Sequence, residues 1–404
     1  MSGVSLRVRP PMHRPGPGFT VLHLVQPVDG GVGRVVADLV RAQVGDGMRV
    51  VVACPEKGPL GPDAAALGAE TEVWEATRDP GFKLPAEIRR VAELVGRIRP
   101  DVVHAHSAKA GFAGRLAVRG RIPTVFQPHA WSFEAVSGTT AALARGWERL
   151  AARWTARVVC VSEAERGRGE RAGVRAPWSV VHNGVDADRF RPADTPGGLA
   201  STAAARAALP QLAELPPDTP LVACVGRICR QKGQDILLRA WPLVLDRMPE
   251  ARLVLVGDGP DAERLREDAP PSVLFAGTVR DTAPWYRAAD LVVLPSRWEG
   301  MAVAPLEAMA SGRTVLLSDV DGASESLPPA QRAHCLTAPE DHTATARAIT
   351  VLLRDRTLRE NFGRQGHEYV RSTYDVRQTA RAIADVYRDV AAVPRSERRE
   401  PIPQ

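Results

Sequence analysis

The sequence predicts an α/β protein of two lobes, each a parallel β-sheet covered on both faces by helices. Three observations predict it. The chain has 404 residues, more than one ordinary domain holds and enough for two. Short apolar runs alternate with segments of helical periodicity, the pattern of βα units whose strands are buried on both faces. The runs also fall into two series, separated by a stretch from Asp186 to Pro220 that is rich in Pro, Ala, Thr and Gly. That is the composition of a linker followed by a short helix.

In the first series, strands are expected at Phe19–Val25, Arg49–Ala53, Asp101–Ala105, Pro123–Gln127, Arg157–Val161 and Ser179–His182. In the second they are expected at Leu221–Gly226, Arg252–Val256, Val273–Ala276, Leu291–Pro295 and Thr314–Ser318. Helical spacing marks the segments between them. Arg34–Val44 follows the first strand. Pro85–Arg99 puts Ile88, Val91, Leu94, Val95 and Ile98 beside a basic edge of Arg89, Arg90, Arg97 and Arg99, read as a solvated helix face, with membrane contact as its alternative. Thr139–Arg157 spaces Leu143, Trp147, Leu150 and Trp154 along one face of an amphipathic helix, whose two tryptophans are read as core packing rather than as ligand contacts. Gln378–Val390 is a further amphipathic helix. The expected organisation is therefore a flexible segment 1–18, a first lobe 19–185, a linker and second lobe 186–375, a C-terminal helix 376–393 and a disordered tail 394–404.

Composition narrows the function. Hydrophobic residues make up 44% and charged residues 25%, which excludes the regime of intrinsically disordered chains. No run of eighteen apolar residues occurs, and Arg7, Arg9 and Arg14 stand among prolines with no apolar segment. Neither a membrane span nor a secretory leader is expected. Cys54, Cys160, Cys224, Cys229 and Cys335 are scattered, with no Cys-x-x-Cys, as expected of reduced thiols in a cytoplasm. The net charge of +6 is uneven: 25 basic face 17 acidic residues up to Val185, and 28 face 30 beyond it. A basic first lobe implies an anionic partner, such as lipid headgroups or a phosphorylated acceptor. No nucleic-acid-binding signature is present, so that partner is not expected.

The chemistry-bearing segments sit at strand ends. Phe19–Val25 runs into Gln26-Pro27-Val28-Asp29-Gly30-Gly31-Val32-Gly33 and then a helix, a geometry that points backbone N–H groups at an anion, although a simple tight turn fits equally. Val225-Gly226-Arg227 with Lys232-Gly233 puts cations past a strand end, where they would neutralise a phosphate leaving group or merely line a surface loop. In Pro295-Ser296-Arg297-Trp298-Glu299-Gly300-Met301-Ala302, followed by helix formers over Ala304–Ala310, the residues Gly300, Met301 and Ala302 fall at a helix N-terminus suited to a pyrophosphate. Glu299 and Glu307 are too far apart for an adjacent acid/base pair, and read as binding two parts of one elongated ligand.

These segments together resemble glycosyltransferase family 4, over nearly the whole chain from Phe19 to Val390. The most specific piece is the pair Glu299 and Glu307 in its Pro-Ser-Arg-Trp-Glu-Gly and Leu-Glu-Ala-Met-Ala setting. Val103-His104-Ala105-His106-Ser107, Pro128-His129-Ala130-Trp131 and Val256-Gly257-Asp258-Gly259-Pro260 stand in the family's order. The resemblance implies the GT-B architecture: two Rossmann-like lobes, the active site in the cleft between them, and a C-terminal helix packing back on the first lobe. It implies retaining transfer from a nucleoside diphosphate sugar, with UDP favoured, to a lipid-linked or cell-surface polysaccharide intermediate. Arg227 and Lys232 would then hold the pyrophosphate, Glu307 the ribose and Glu299 the sugar hydroxyls. Gly300, Met301 and Ala302 would offer N–H groups, Gly30 and Gly31 would admit the phosphate and sugar, and His129 would lie near the reaction centre. The loop containing Val279 and Arg280 would read the nucleobase. No protein nucleophile or general base is implied. Met301 and Ala302 depart from the aromatic residue and glycine of many relatives, which bears on the sugar pocket.

No cofactor is expected beyond the donor substrate. Asp186-Ala187-Asp188 and Asp319-Val320-Asp321 match a short metal-binding pattern of other glycosyltransferases, but no catalytic metal is expected, because cations already serve the phosphates. His104 and His106 share a strand face, with no third metal ligand apparent. The expected location is cytoplasmic, peripheral on the inner membrane face. The competing functions are transfer to a soluble natural product, nucleotide-sugar epimerisation on the same fold, and a catalytically silent nucleotide-sugar-binding subunit.

Overall fold

A computed structural model describes residues 17–78, 81–192 and 199–392. The expected flexible segment 1–18, except Pro17 and Gly18, and the expected tail 394–404 lie outside the described residues. The first sheet contains β1 (Thr20–Val25), β2 (Arg49–Cys54), β3 (Glu70–Val73), β4 (Val102–His106), β5 (Thr124–Gln127), β6 (Arg157–Cys160) and β7 (Trp178–Val180). The second contains β8 (Leu221–Val225), β9 (Arg252–Val256), β10 (Val273–Gly277), β11 (Leu291–Leu294), β12 (Thr314–Ser318) and β13 (Leu336–Thr337).

Their spatial orders are β3-β2-β1-β4-β5-β6-β7 and β10-β9-β8-β11-β12-β13, and the paired strands in both sheets run parallel. The two-lobed GT-B arrangement therefore holds. In each lobe the chain order reverses at one place, between β1 and β4 and between β8 and β11. Such switch points open a crevice beyond the carboxyl ends of the strands, and they fix where a ligand can lie.

The strands owe their position to uninterrupted apolar runs: β2 after Arg49, β8, β11 and β12 are buried along their length. Two strands escape the sequence pattern. β3 reads Glu-Thr-Glu-Val, half-exposed or exposed throughout, because an edge strand covered on one side needs no apolar run. β13 is only two residues long.

The helix Val376–Ala391 ends the described chain and packs back on the first lobe: Ile383, Ala384, Val386, Tyr387 and Val390 join the core formed by β1, β2 and the helix Gly30–Gly45. A bridge between Val185 and Asp375 pins the two crossings of the chain side by side.

The stripe on Thr139–Arg157 is split: its tryptophans pack inward and its leucines do not. The segment forms a helix Gly138–Ala151 and a short 3-10 turn Ala152–Trp154, but Leu143 is 75% and Leu150 41% exposed. The face that packs inward is Ala141, Glu148 and Ala151, small enough for close approach, with Glu148 buried in an ion pair to Arg115 at 2.8 Å. Trp147 is half-buried against Phe112, ring centroids 4.1 Å apart. Among the described residues no helix is long and apolar enough to cross a membrane.

Candidate functional site

The two switch points face each other, and the first lobe supplies a glycine turn and a histidine. Beyond β1 the chain enters the helix Gly30–Gly45 with Gly30 at φ 64°, a left-handed conformation that glycine adopts without cost. Asp29 at the helix cap makes no side-chain cap, which leaves the first N–H groups for another partner. A Cβ on Gly31 would lie 3.7 Å from Val303 Cγ2 of the other lobe, so the turn looks directly at the second lobe.

Beyond β5, His129 and Ala130 hold φ values of 58° and 112°, a strained turn for residues with side chains. It is fastened by Glu165, whose carboxylate accepts from Ala130 N at 2.6 Å and Val161 N at 2.7 Å. Burial pushes the Glu165 carboxyl up to about 7 against those two donors. His129 Nε2 meets His106 Nδ1 at 3.1 Å, and burial holds the His129 imidazole down at about 3, so it is neutral near pH 7.

The second lobe supplies cations, carboxylates and a helix end. After β8, Lys232 lies in a 3-10 turn, Arg230–Lys232, and its ammonium contacts Glu299 Oε1 at 2.6 Å. Ser296 Oγ donates to the same oxygen at 2.8 Å. Arg227 is half-buried, with no hydrogen-bonding or ionic partner for its guanidinium among the described residues. The helix Val303–Ala310 starts at Ala302 without a side-chain cap, so its leading N–H groups are available to an anion.

Glu307 lies one turn into that helix. Tyr286 donates to its Oε2 at 2.8 Å, and Arg34 from the first lobe approaches its Oε1 at 3.9 Å. Burial raises its pKa, and Arg34 and Tyr286 oppose the rise. Glu299 and Glu307 thus have separate partners, as their spacing requires. Val279 is half-buried and Arg280 exposed on the loop after β10, which stands two strands away from β8.

Gly300 and Met301 close the site. Ser162 donates to Gly300 O at 2.8 Å and Asn183 to Met301 O at 2.7 Å, both across the lobes. A Cβ on Gly300 would lie 2.8 Å from Glu165 Oε1 and 3.0 Å from Ala130 N. Glycine is required there for space. Ala302 is half-buried at the helix start. A further clamp joins Arg168 to both oxygens of Asp321, at 2.5 and 2.7 Å. Glu325 accepts from Glu163 N and Ala164 N at 2.9 Å each, capping a first-lobe helix from the second lobe.

The structure brings Gly30, Gly31, Gly300, Met301, Ala302, Lys232, Glu299, Glu307 and His129 to the facing strand ends. It adds Arg34, Tyr286, Ser162, Asn183 and Glu165. Ser162 and Asn183 stand in Val161-Ser162-Glu163 and Asn183-Gly184-Val185-Asp186, which follow the family's order; no motif marks Arg34, Tyr286 and Glu165, each an isolated residue placed by tertiary packing. Of the aspartates in the short metal-like patterns, Asp321 pairs with Arg168 and Asp186 accepts from the N–H groups of Asp188 and Arg189. His104 and His106 acquire a third buried imidazole, His23, which the sequence had not connected to them.

A cleft with a free guanidinium, an ammonium, an uncapped helix start and two separately held carboxylates can hold an elongated ligand having an anionic middle and hydroxyl-bearing ends. The chain resembles known glycosyltransferases in sequence and in fold. A family model described as Glycosyltransferase Family 4 matches residues 29–189, and one described as Glycosyl transferases group 1 matches residues 219–355. A D-inositol 3-phosphate glycosyltransferase of Streptomyces scabiei is 30% identical over 77% of this chain and 74% of its own length. The lipopolysaccharide core biosynthesis mannosyltransferase LpcC of Rhizobium leguminosarum is 32% identical over 55% of this chain, and the match spans 63% of that relative's length. Among solved structures, Anabaena HepE in complex with UDP and glucose superposes with a TM-score of 0.75 at 23% identity, covering 91% of this chain and 98% of HepE.

Proposed function

This chain belongs to glycosyltransferase family 4, and on that footing we propose that it moves a sugar from a nucleoside diphosphate sugar, with retention, to a lipid-linked or cell-surface glycan intermediate. The observation that carries the reading is the facing of the Gly30-Gly31 turn and the uncapped start of Val303–Ala310, with Lys232 held at Glu299 just before that start and Arg227 on the loop after β8. Such an arrangement suits a pyrophosphate whose charge grows as the sugar leaves.

In this reading Arg227 and Lys232 hold the diphosphate, Lys232 exchanging part of its contact with Glu299 for phosphate oxygen. The N–H groups at Gly300, Met301 and Ala302 add to them. Glu307, oriented by Tyr286, accepts from the ribose hydroxyls. Glu299 accepts from hydroxyls of the sugar, Val279 and Arg280 border the nucleobase, and His129 with the Gly30-Gly31 turn borders the sugar from the other lobe. The bond from the sugar's anomeric carbon to the phosphate oxygen breaks as the acceptor oxygen bonds to the same face, and the acceptor proton passes to the leaving phosphate oxygen. No protein base is needed, and no metal is assigned a part.

For the acceptor, the exposed leucines of Gly138–Ala151 favour a lipid-linked molecule at an anionic surface. Leu143 and Leu150 stand among Arg145, Arg149 and Arg153, Arg149 and Arg153 also exposed. The basic edge of Leu84–Ile98, by contrast, is largely paired, Arg90 and Arg97 with Glu72 and Arg89 with Glu93.

The test is thermal stability in the presence of UDP, GDP, ADP or TDP, beside Glu307→Ala. A nucleotide at a hundred times its Kd stabilises by about 2.7 kcal/mol. One nucleotide is expected to raise the Tm of the unsubstituted protein by a few degrees, UDP first, and that of the variant much less. No rise with any nucleotide would contradict a preformed donor site.

A further inference from the structure

Beneath His129 an unbroken chain of buried polar side chains runs through four elements. His129 Nε2 meets His106 Nδ1 at 3.1 Å, His106 Nε2 meets His23 Nδ1 at 3.0 Å, and His23 Nε2 meets Gln43 Oε1 at 2.8 Å. Gln43 Nε2 donates to Tyr387 OH at 3.4 Å, and Tyr387 OH meets His104 Nδ1 at 2.6 Å. His23 comes from β1, His104 and His106 from β4, Gln43 from Gly30–Gly45 and Tyr387 from the returning helix Val376–Ala391. His23, His104, His106 and Tyr387 are 0% exposed and Gln43 1%. Nothing in the site described above accounts for burying so many imidazoles in a row.

The chain has a direction. A neutral imidazole carries one N–H and one lone pair, so each ring that accepts on one nitrogen must donate from the other. All four rings are neutral near pH 7, since burial lowers His23 to about 4 and His129 to about 3 and holds His104 and His106 well below the ordinary histidine range. Gln43 sets the sense, because its amide oxygen can only accept and its amide nitrogen only donate. His23 therefore carries its proton on Nε2 and accepts on Nδ1. His106 then carries its proton on Nε2 and accepts on Nδ1, and His129 must carry its proton on Nε2. Beyond Tyr387, its hydroxyl donates to His104 Nδ1, which leaves the His104 proton on Nε2, a buried nitrogen with no hydrogen-bond partner among the described residues.

We propose that His106, His23 and Gln43 are positioning residues that lock His129 as its Nε2–H tautomer, so that Nδ1 stands as a fixed acceptor for a hydroxyl of the sugar in the cleft. His129 Nδ1 makes no hydrogen bond to a described residue, and the His129-Ala130 turn abuts Gly300 of the other lobe. The role given to Nδ1 rests on the glycosyl-transfer reading; the tautomer does not. Because Tyr387 orients Gln43, the helix that returns from the second lobe sets the protonation pattern of a histidine in the cleft, four hydrogen bonds away.

The experiment is long-range 1H–15N correlation on histidine-labelled protein, which distinguishes Nε2–H from Nδ1–H rings, with steady-state kinetics on the same variants. The unsubstituted protein is expected to show His129 wholly as Nε2–H without any substrate. His106→Phe breaks the chain and should give mixed tautomers, with kcat falling about tenfold, the worth of one hydrogen bond, and KM nearly unchanged. His106→Gln, whose amide can accept from His129 and donate to His23, should restore the single tautomer and most of kcat. Tyr387→Phe serves where His106→Phe does not fold, and should also mix the tautomers. An Nδ1–H or mixed His129 in the unsubstituted protein would overturn the proposal. So would a stoichiometric metal that survives chelation and whose removal shifts His23, His104 and His106, whose facing nitrogens lie within 4.8 Å of one another. A locked tautomer in a protein that transfers no sugar would leave the wire standing and remove the function.

Discussion

Arg227 and Lys232 are assigned the same task but stand in different surroundings, and their substitutions should separate. Arg227 has no ionic partner among the described residues, whereas Lys232 neutralises Glu299 at 2.6 Å. Arg227→Ala should weaken nucleoside diphosphate binding by about 1.5 to 3 kcal/mol, the usual worth of a charge-assisted hydrogen bond, and leave the Tm unchanged. Lys232→Ala should weaken binding similarly and also lower the Tm, because Glu299 is left 8% exposed without its cation. Calorimetric titration beside a melting curve reads both. Equal Tm values for the two variants would contradict the ion pair as placed. The residues that sequence reveals are those whose roles need a fixed local frame: Glu299 and Glu307 on one turn and helix, Arg227 and Lys232 on one loop. Arg34, Tyr286 and Glu165 act across the fold, from three different helices of the two lobes, and no local spacing announces them.

Helices and strands were legible in proportion to how one-sided their burial is. The strands β1, β2, β4, β8, β11 and β12 are buried runs and stand out in the sequence, while β3 at the sheet edge does not. Gly138–Ala151 shows the opposite failure: a clear apolar stripe whose leucines the fold leaves on the surface, because periodicity reports amphipathicity and not which side is wet. An exposed apolar stripe flanked by arginines fits an anionic bilayer. Leu143→Glu combined with Leu150→Glu should abolish co-sedimentation with phosphatidylglycerol vesicles. Binding by the unsubstituted protein should also fall as salt rises toward 1 M, where the screening length is about 3 Å. Unaltered sedimentation of the double variant would assign any membrane contact to another face.

Four buried imidazoles lie in and beneath the cleft, and they give stability a pH dependence. His23, His104, His106 and His129 have folded pKa values below the unfolded value of about 6.5. Their contribution is complete above that pH and is lost as pH falls through it, by about 1.4 kcal/mol per pH unit for each ring. Glu134 and Glu165, raised to about 7 by burial, act in the opposite sense between pH 7 and their unfolded values. Burial raises Glu307 and Glu148 in the same sense, so the carboxyls offset part of the loss that the four rings bring as pH falls. Denaturant midpoints between pH 6 and 4.5 check it, and His104→Gln should make the fall in stability shallower. The two-lobed architecture and the helix that crosses back were legible from the sequence, because βα alternation and the family's motif order run along the whole chain. The clamp of Arg168 with Asp321 and Glu325 with the Glu163 helix was not, since it pairs residues more than a hundred positions apart.

A retaining transfer leaves its record in the anomeric configuration of the released sugar. Incubated with UDP-, GDP- and ADP-sugars of α configuration and no acceptor, the protein should slowly transfer the sugar of one of them to water. 1H NMR taken before mutarotation should then show the α anomer first, with the matching nucleoside diphosphate in equal amount. The Glu307→Ala protein should release far less. A β anomer as first product, or an intact donor whose sugar has changed at a ring carbon, would contradict retaining transfer.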